Sequence, residues 1–311
     1  LVSGRVIYTD STHLKASANK NKWIKKEAEA SSKDYLEELE RAVEEDRLAH
    51  GKKSLAPSSE APTLKEIKES TTDKDSGYMV RDGKPKGFFY LDHRSVDGKA
   101  NIITDVHVTP GNVHDSIPYL QRLDRQKERF GFAIHAVGLD AGYFTAAICK
   151  GLEDREVFGV ISYRRPNHIQ GTFYKREYQY DAQNDEYVCP AGERLIYSTT
   201  SREGYRHYKS NPDICAQCKS LSKCTKNKNH VKIVTRHVWE AHKERVNQNR
   251  LTPEGKALHK RRKETVERSF ADAKELHGYR YAKYRGLNKV QGQCLMAATA
   301  QNIKKIAQMA T

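Results

Sequence analysis

The sequence contains no run of about 18 apolar residues, the length that a membrane-spanning helix needs, so we expect no membrane span. Its first residues, LVSGRVIYTD, lack the basic and then apolar layout of a secretory signal. They also lack an initiator methionine and enter a strand-like run almost at once, from which we expect a further domain upstream. The cysteine usage gives no indication of an oxidising compartment, and the cytoplasm is the expected location.

Positive charge is abundant and unevenly placed. The chain has 55 Lys and Arg against 40 Asp and Glu, a net charge of +15, and residues 204–263 alone hold 16 basic against 4 acidic side chains. Such a basic block favours a polyanionic partner, usually nucleic acid, over a generically soluble basic surface. The block also holds rings on which bases can stack: Tyr205, His207, Tyr208 and Trp239.

Hydrophobic periodicity predicts alternating strands and helices as far as residue 165. A strand at 4–12 is followed by a helix at 33–50 and by an exposed linker at 51–77, which is rich in Lys, Ser, Pro and Thr. Two strand-like runs, GFFYLDHRSVD and NIITDVHVTPG, meet at Asp97–Gly98 and predict a hairpin. The remaining predictions are a helix at 114–131 capped by Asp115 or Ser116, a strand at 133–143, a helix at 145–156 and a strand at 157–165.

Beyond this point the pattern changes. Residues 165 to about 250 are predicted as short, irregular segments, and helices follow from Pro253 onward. The stretch KETVERSFADAKELHG, residues 263–278, predicts one amphipathic helix with two stripes. One stripe places Glu267 between Lys263 and Lys274. The other is mostly apolar and is expected to pack on a core: Val266, Phe270, Ala273 and His277.

Three carboxylates fall where strand and helix ends are expected. Asp10 lies late in the first strand, Asp140 ends a central strand before a tight turn, and Glu267 lies on the late helix. The first and fourth strands of such an order are often neighbours, so Asp10 and Asp140 should share an edge of the sheet. The structural alternatives are a turn cap at Asp10, a turn former at Asp140 and a surface charge paired with Lys263 at Glu267.

The chemistry of phosphodiester cleavage explains why three carboxylates would gather. Two Mg²⁺ or Mn²⁺ ions held by Asp and Glu can activate a water and stabilise charge on the leaving oxygen. A nearby Lys or Arg then grips the substrate phosphates. We therefore expect Asp10, Asp140 and Glu267 to hold two such ions, with Lys274 as a phosphate contact.

Four of the six cysteines form a separate cluster with the spacing C-x25-C-x2-C-x5-C: Cys189, Cys215, Cys218 and Cys224. Four thiolates suit a tetrahedral structural Zn²⁺, which would brace a segment with little core of its own. His207 and His230 are substitute ligands, and free thiols or a disulfide pair are the alternatives. Cys149 and Cys294 lie in apolar helical contexts and are interpreted as core residues.

Several stretches together resemble a known family. DSTHLKASANKNKW, residues 10–23, is similar to the segment around the first catalytic Asp of DDE-type bacterial insertion-sequence transposases. Four further stretches resemble later segments of that family in the same order: VTPGNVHDS (108–116), LDAGY (139–143), VERSFADAK (266–274) and YRGLNKV (284–290). The resemblance covers nearly the whole chain.

The resemblance implies an α/β fold of the ribonuclease-H-like kind, a mixed sheet flanked by helices, with a Cys-containing insertion between the last strand and the Glu helix. The core would comprise residues 1–165, with a helical and linker insertion at about 24–77, and residues 251–311. Residues 166–250 would form the basic, zinc-stapled insertion. The family's usual N-terminal helical DNA-binding domain is not found among these residues.

The function implied is DNA transposition: metal-dependent cleavage at element ends, then strand transfer into target DNA. Double-stranded DNA would be the partner, the protein would be a homo-oligomer on DNA, and its location would be the bacterial cytoplasm with the nucleoid. The rival functions are an inactive remnant that only binds DNA and a metal-dependent nuclease without strand transfer.

The resemblance is incomplete before Glu267, where related enzymes carry a Tyr and an Arg. This chain has HKRRK there, so His259 stands in place of the Tyr, and either Arg262 or Lys263 takes the phosphate-binding role of the Arg. Asp115 is interpreted as a helix cap and His114 as a loop residue. The other site-like side chains are Asp105, His107 and His93.

Overall fold

The computed structural model describes residues 1–29, 33–56, 64–80, 85–164 and 168–310. Its contacts divide the chain into two compact units. The first unit comprises Leu1–Ser31, Glu60–Tyr163 and His242–Thr311, and the second comprises Ser32–Ser59 and Arg164–Ala241. Within the described residues, no helix has both the length and the apolar character needed to cross a membrane.

The strands and helices are numbered in chain order. The strands are β1 Val6–Lys15, β2 Trp23–Glu29, β3 Leu64–Ser70, β4 Gly77–Met79, β5 Gly87–Asp97, β6 Ile103–Pro110, β7 Ala136–Leu139, β8 Phe158–Ile161, β9 Gln179–Asp181, β10 Glu186–Val188, β11 Arg194–Thr200, β12 Tyr205–Ser210 and β13 Ile233–His237. The helices are α1 Lys33–Ala49, α2 Tyr119–Phe130, α3 Ala146–Glu153, α4 Pro212–Ala216, α5 Leu221–Cys224, α6 Glu240–Asn249, α7 Pro253–Arg261, α8 Val266–Leu276 and α9 Leu287–Ala310.

A mixed sheet forms the centre of the first unit. Its order is β2-β3-β4-β5-β1-β7-β8, and β6 pairs with β5 as well. Strand β5 is antiparallel to both β1 and β6, whereas β7 is parallel to β1 and β8 is parallel to β7. The predicted β5–β6 hairpin is therefore confirmed, as is the prediction that the first and fourth strands of the core are neighbours.

Helices cover both faces of this sheet, because successive residues of a strand point to opposite sides. Tyr8 belongs to a core that includes Phe270 on α8 and Val290 on α9. The preceding residue, Ile7, belongs to a second core with Leu123 on α2 and residues of α3. The structure thus confirms an α/β protein with a mixed sheet between helices.

A buried ion pair ties α8 and α9 to strand β5. Arg94 and Asp92 are both fully buried, and Arg94 Nε lies 2.7 Å from Asp92 Oδ2. Arg94 Nη1 also donates to Ser269 Oγ and to Gln301 Oε1, each at 3.1 Å. Tyr279 donates its hydroxyl to Asp92 at 2.7 Å. Since α8 carries Glu267, this network fixes the helix that presents that carboxylate.

The prediction of an exposed linker at 51–77 is wrong for its second half. Strand β3 pairs with β2 from Trp23↔Ser70 to Glu29↔Leu64, and β4 begins at Gly77. Opposite charges pair diagonally across these strands, as in Lys25–Glu66 at 2.9 Å and Lys26–Glu69 at 2.5 Å. Cross-strand ion pairs stabilise a polar strand that hydrophobic patterning does not reveal. Residues 57–63 lie outside the described residues.

The second unit contains an antiparallel sheet, in the order β13-β12-β11-β10-β9. The prediction of irregular segments for residues 165–250 is therefore wrong. The strands are three to seven residues long, too short for clear alternation, and their core is built largely from tyrosines rather than aliphatic side chains: Tyr178, Tyr187, Leu195, Tyr208 and Val234. Helix α1 belongs to this unit. Of its apolar residues at helical spacing, Leu39 and Val43 are buried, whereas Leu36 is exposed.

Candidate active site

Parallel pairing of β1 with β7 aligns two of the three predicted carboxylates. Thr9 pairs with Leu139, so Asp10 and Asp140 are the next residues on adjacent strands. Asp10 Oδ1 accepts a hydrogen bond from the Ser11 N–H at 2.8 Å. The Asp140 carboxylate accepts from the Ala141 N–H and caps a 3-10 turn at Ala141–Tyr143. Asp140 therefore forms a turn and lies beside Asp10 at the same time.

A third aspartate, Asp115, joins this pair. Ser11 donates its hydroxyl to Asp115 Oδ1 at 2.9 Å. The prediction that Asp115 or Ser116 caps helix α2 is wrong, since the helix begins at Tyr119 after Pro118, with no side-chain cap. The side chain of Asp115 is oriented toward β1 instead. Its position at the end of VTPGNVHDS, a few residues after β6, was the available signal, but capping preference favoured the other interpretation.

The three aspartates line one cleft of 360 Å³, together with Lys274 and His13. Burial raises the pKa of Asp10 to about 6, Arg262 opposes that rise, and the nearby charges of Asp140 and Asp115 add to it. The negative charge of Asp10 is therefore only partly balanced by its protein neighbours. The cleft is therefore a place where added positive charge would be favourable.

Arg262 links Asp10 to Glu267. Its Nη2 lies 2.9 Å from Asp10 Oδ2, and its Nη1 lies 3.8 Å from Glu267 Oε1. The Arg262 side chain is 7% exposed, whereas that of Glu267 is 45% exposed. Among the described residues, Glu267 is not part of the cleft lining, so the structure brings it to Arg262 rather than to Asp140.

The segment before Glu267 differs from the single helix predicted over 263–278. Helix α8 begins at Val266, because Thr265 has φ −110° and ψ −98°, and Arg262–Glu264 form a separate 3-10 turn. Lys263 therefore does not share a helical face with Glu267 and is exposed. The apolar stripe prediction is confirmed at Val266, Phe270 and Ala273, which are buried.

His259 reaches the carboxylate cluster through Ser162. His259 Nε2 lies 2.9 Å from Ser162 Oγ, which also accepts from Arg262 Nη1 at 3.3 Å. Burial and the nearby charge of Arg262 lower the pKa of His259. Between the two basic candidates, Arg262 contacts the carboxylates. Ser162 links the Arg262 guanidinium to the His259 ring by hydrogen bonds.

The remaining site-like side chains make other contacts. Asp105 pairs with Arg122 at 2.7 Å and with Arg125 at 2.6 Å. Burial lowers the pKa of the nearby His107, and the charges of both arginines lower it further. His93 Nε2 lies 2.8 Å from Thr109 Oγ1, and burial holds the pKa of His93 well below its usual value. His114 bonds to its near neighbour Ser116 at 2.7 Å. Local structure accounts for each of them.

These residues have the donor atoms that a divalent cation prefers, but their side chains are not already arranged around one point. In the part of the chain that is described, no three His, Cys, Asp or Glu side chains already stand as a metal-ligand set. The donors that converge, Asp10, Asp115 and Asp140, are all carboxylates, the ligand type that Mg²⁺ prefers. The raised pKa of Asp10 shows a carboxyl group whose ionised form a cation would stabilise.

Comparison with known protein families gives a match to part of the chain. Residues 188–307 match the family model described as "Transposase DDE domain". The match spans Cys189, Glu267 and Lys274 and confirms the resemblance to DDE-type transposases. Transposases of this class act on DNA and generally use divalent metal ions. No curated protein and no solved structure matches the chain.

Proposed function

We propose that this chain is a DNA transposase that cleaves phosphodiesters at element ends and transfers the freed strands into target DNA. The observation that carries the proposal is the parallel β1–β7 pairing, which sets Asp10 beside Asp140, while Arg262 connects Asp10 to Glu267. The strand order β6-β5-β1-β7-β8, with β5 antiparallel to β1, supports a ribonuclease-H-like core. The family match supports the transposase class.

Asp10, Asp140 and Glu267 are the residues we assign to holding two Mg²⁺ or Mn²⁺ ions. Such ions, when bound, generate a hydroxide nucleophile and stabilise the charge on the leaving oxygen. Asp115 lines the same cleft and adds negative charge beside Asp10. Arg262 compensates the carboxylates while it keeps Asp10 and Glu267 in reach of one guanidinium.

Basic side chains would grip the phosphates of the DNA. Lys274 lines the cleft and is assigned to the substrate phosphate nearest the reaction. Lys263 is exposed just before α8 and is assigned to a flanking phosphate. The buried Arg262 is assigned to positioning rather than to a direct phosphate contact. Double-stranded DNA is the partner, and pairing of two element ends calls for a homo-oligomer.

The experiment uses a DNA substrate that carries the flanking end sequence of the element. Mg²⁺-dependent nicking that releases a 3′-hydroxyl supports the enzyme, and binding without nicking supports the inactive remnant. Joining of a pre-cut end to a plasmid separates the transposase from a nuclease without strand transfer. Binding should weaken steeply as salt rises, because Lys and Arg displace counterions from the backbone.

A further inference from the structure

The four clustered cysteines meet around one small cavity in the second unit. All four line a space of 30 Å³ with apolar neighbours such as Phe173 and Leu221: Cys189, Cys215, Cys218 and Cys224. All are free thiols, so the disulfide alternative is not the state described here. Neither His207 nor His230 lies among the described residues of the lining, which removes both as substitute ligands.

Two tight turns present these thiols. In the first, the Gly192 N–H donates to the Cys189 carbonyl at 2.9 Å, and Gly192 adopts the left-handed φ of +87° that such a turn needs. In the second, the Cys218 N–H donates to the Cys215 carbonyl at 3.1 Å. A short turn of this kind lets two cysteines with two residues between them, such as Cys215 and Cys218, converge on one ion. Cys224 ends helix α5 and completes the group.

Two neighbours of Cys224 can stabilise negative charge at this end of the cavity. The Tyr178 hydroxyl lies 3.2 Å from Cys224 Sγ and can donate to a thiolate. Lys232 also lines the cavity and donates to the Cys224 carbonyl at 3.1 Å, so positive charge lies beside the site.

We propose that these four cysteines bind one structural Zn²⁺, which braces the basic connection between β12 and β13 for contact with DNA phosphates. On binding, four thiols lose four protons and form four Zn–S bonds, leaving the centre with a charge of two minus. In the part of the chain described, no three ligand side chains yet stand at binding distance. The thiols therefore turn inward from the cavity wall when the ion enters.

The connection needs such a brace. Residues 211–232 contain only two short helices, of five and four residues, which cannot supply a core of their own. The same connection carries four exposed lysines: Lys219, Lys223, Lys226 and Lys228. A centre that ties this connection to the β10–β11 turn would hold those lysines in one arrangement.

The first test measures metal in protein purified without added zinc, where we expect about one Zn per chain. Removal of zinc with a chelator and titration with Co²⁺ should give the absorption of a tetrahedral thiolate site. Cys218→Ser should lose the zinc, whereas Cys149→Ala, which removes a core thiol of the first unit, should keep it. These readouts do not depend on transposition, so the zinc site and the proposed function can fail separately.

The second test measures DNA affinity with and without zinc. The zinc-free protein and Cys218→Ser should bind duplex DNA several-fold more weakly at moderate salt, and the zinc-loaded Cys149→Ala should bind as the parent does. Parent protein that contains no zinc and gives no thiolate spectrum with Co²⁺ overturns the site. A zinc-loaded parent whose DNA affinity is unchanged by the chelator overturns the role of the site in bracing the lysines.

Discussion

The carboxylate cleft of the first unit and the cysteine cavity of the second are assembled in opposite ways. The cleft draws Asp10, Asp115 and Asp140 from three distant segments, has a volume of 360 Å³, and leaves the negative charge of its aspartates only partly balanced by Arg262. The cavity draws its thiols from 36 consecutive residues, 189–224, and is closed down to 30 Å³. An open cleft with unbalanced negative charge suits ligands that bind and dissociate, whereas a small closed cavity suits an ion that stays bound.

The largest effect should come from the aspartates of the cleft. Asp10→Asn and Asp140→Asn each remove a ligand charge and should lower Mg²⁺-dependent DNA cleavage by about 10²–10³-fold, as losing a charge-stabilising group does in other enzymes. Initial rates on an end-sequence duplex give the measurement. The control is Asp154→Asn, a matched change at an exposed carboxylate paired with Lys150. If all three variants lost the same fraction of the cleavage rate, the cleft aspartates would have no special role in cleavage.

The next effect concerns the stability of the first unit, at one buried and one exposed ion pair. Arg94→Met leaves Asp92 buried without its partner and should destabilise the first unit by about 3–5 kcal/mol, as breaking buried pairs does. Arg268→Met breaks the exposed pair with Asp272 and should cost about 0.5 kcal/mol or less. Denaturant unfolding measures both. If Arg94→Met cost no more stability than Arg268→Met, the buried pair would not be what holds α8 and α9 to β5.

A smaller effect is expected with pH at the cleft. Because the folded pKa of Asp10 is raised to about 6 from 3.8, protonation stabilises the folded state below pH 3.8, and that contribution is lost as pH rises through 6. Metal binding needs the ionised form, so Mn²⁺ affinity should fall as pH drops through 6. Titration of Mn²⁺ by its paramagnetic signal measures this. A parent whose affinity stays flat between pH 5 and 7 contradicts the assignment.

The smallest effect should come from the phosphate contact. Lys274→Ala leaves the carboxylates in place and weakens the grip on the substrate, so cleavage should fall by about tenfold, the cost of one charge-assisted hydrogen bond. The loss should appear mainly in KM. Lys304→Ala, at an exposed position of α9, is the matched control and should cleave as the parent does. A Lys274→Ala loss as deep as that of Asp10→Asn would make the lysine part of the catalytic group.

Much of the first unit could be predicted because its information is local. The alternation in β1, the Asp–Gly signal in the β5–β6 hairpin and the run of core strands fixed the positions of Asp10 and Asp140 at adjacent strands. The cysteine spacing likewise predicted a cluster, and the four cysteines do line one cavity. In both cases the relevant pattern lies within one element or one short stretch.

The parts that could not be predicted depend on partners far away in the chain. Strand β3 is polar, and only its ion pairs with β2 explain it. Asp115 has a good capping sequence, but its hydrogen bond to Ser11, 104 residues away, takes it to the cleft. The break at Thr265 separates Lys263 from Glu267, which helical spacing had placed together. Tertiary contacts overrode local preference in β3 and at Asp115.

Glu267 is assigned to act with the cleft aspartates although it reaches them only through Arg262. The most direct measurement is Mg²⁺-dependent cleavage of an end-sequence duplex by Glu267→Gln, with Glu275→Gln on the same helix as the control and circular dichroism on both. Gln is as good a helix former as Glu, so helix content should not change. We predict that Glu267→Gln loses cleavage and that Glu275→Gln keeps it. Cleavage at the parent rate by Glu267→Gln would contradict the assignment and leave Glu267 as a surface charge.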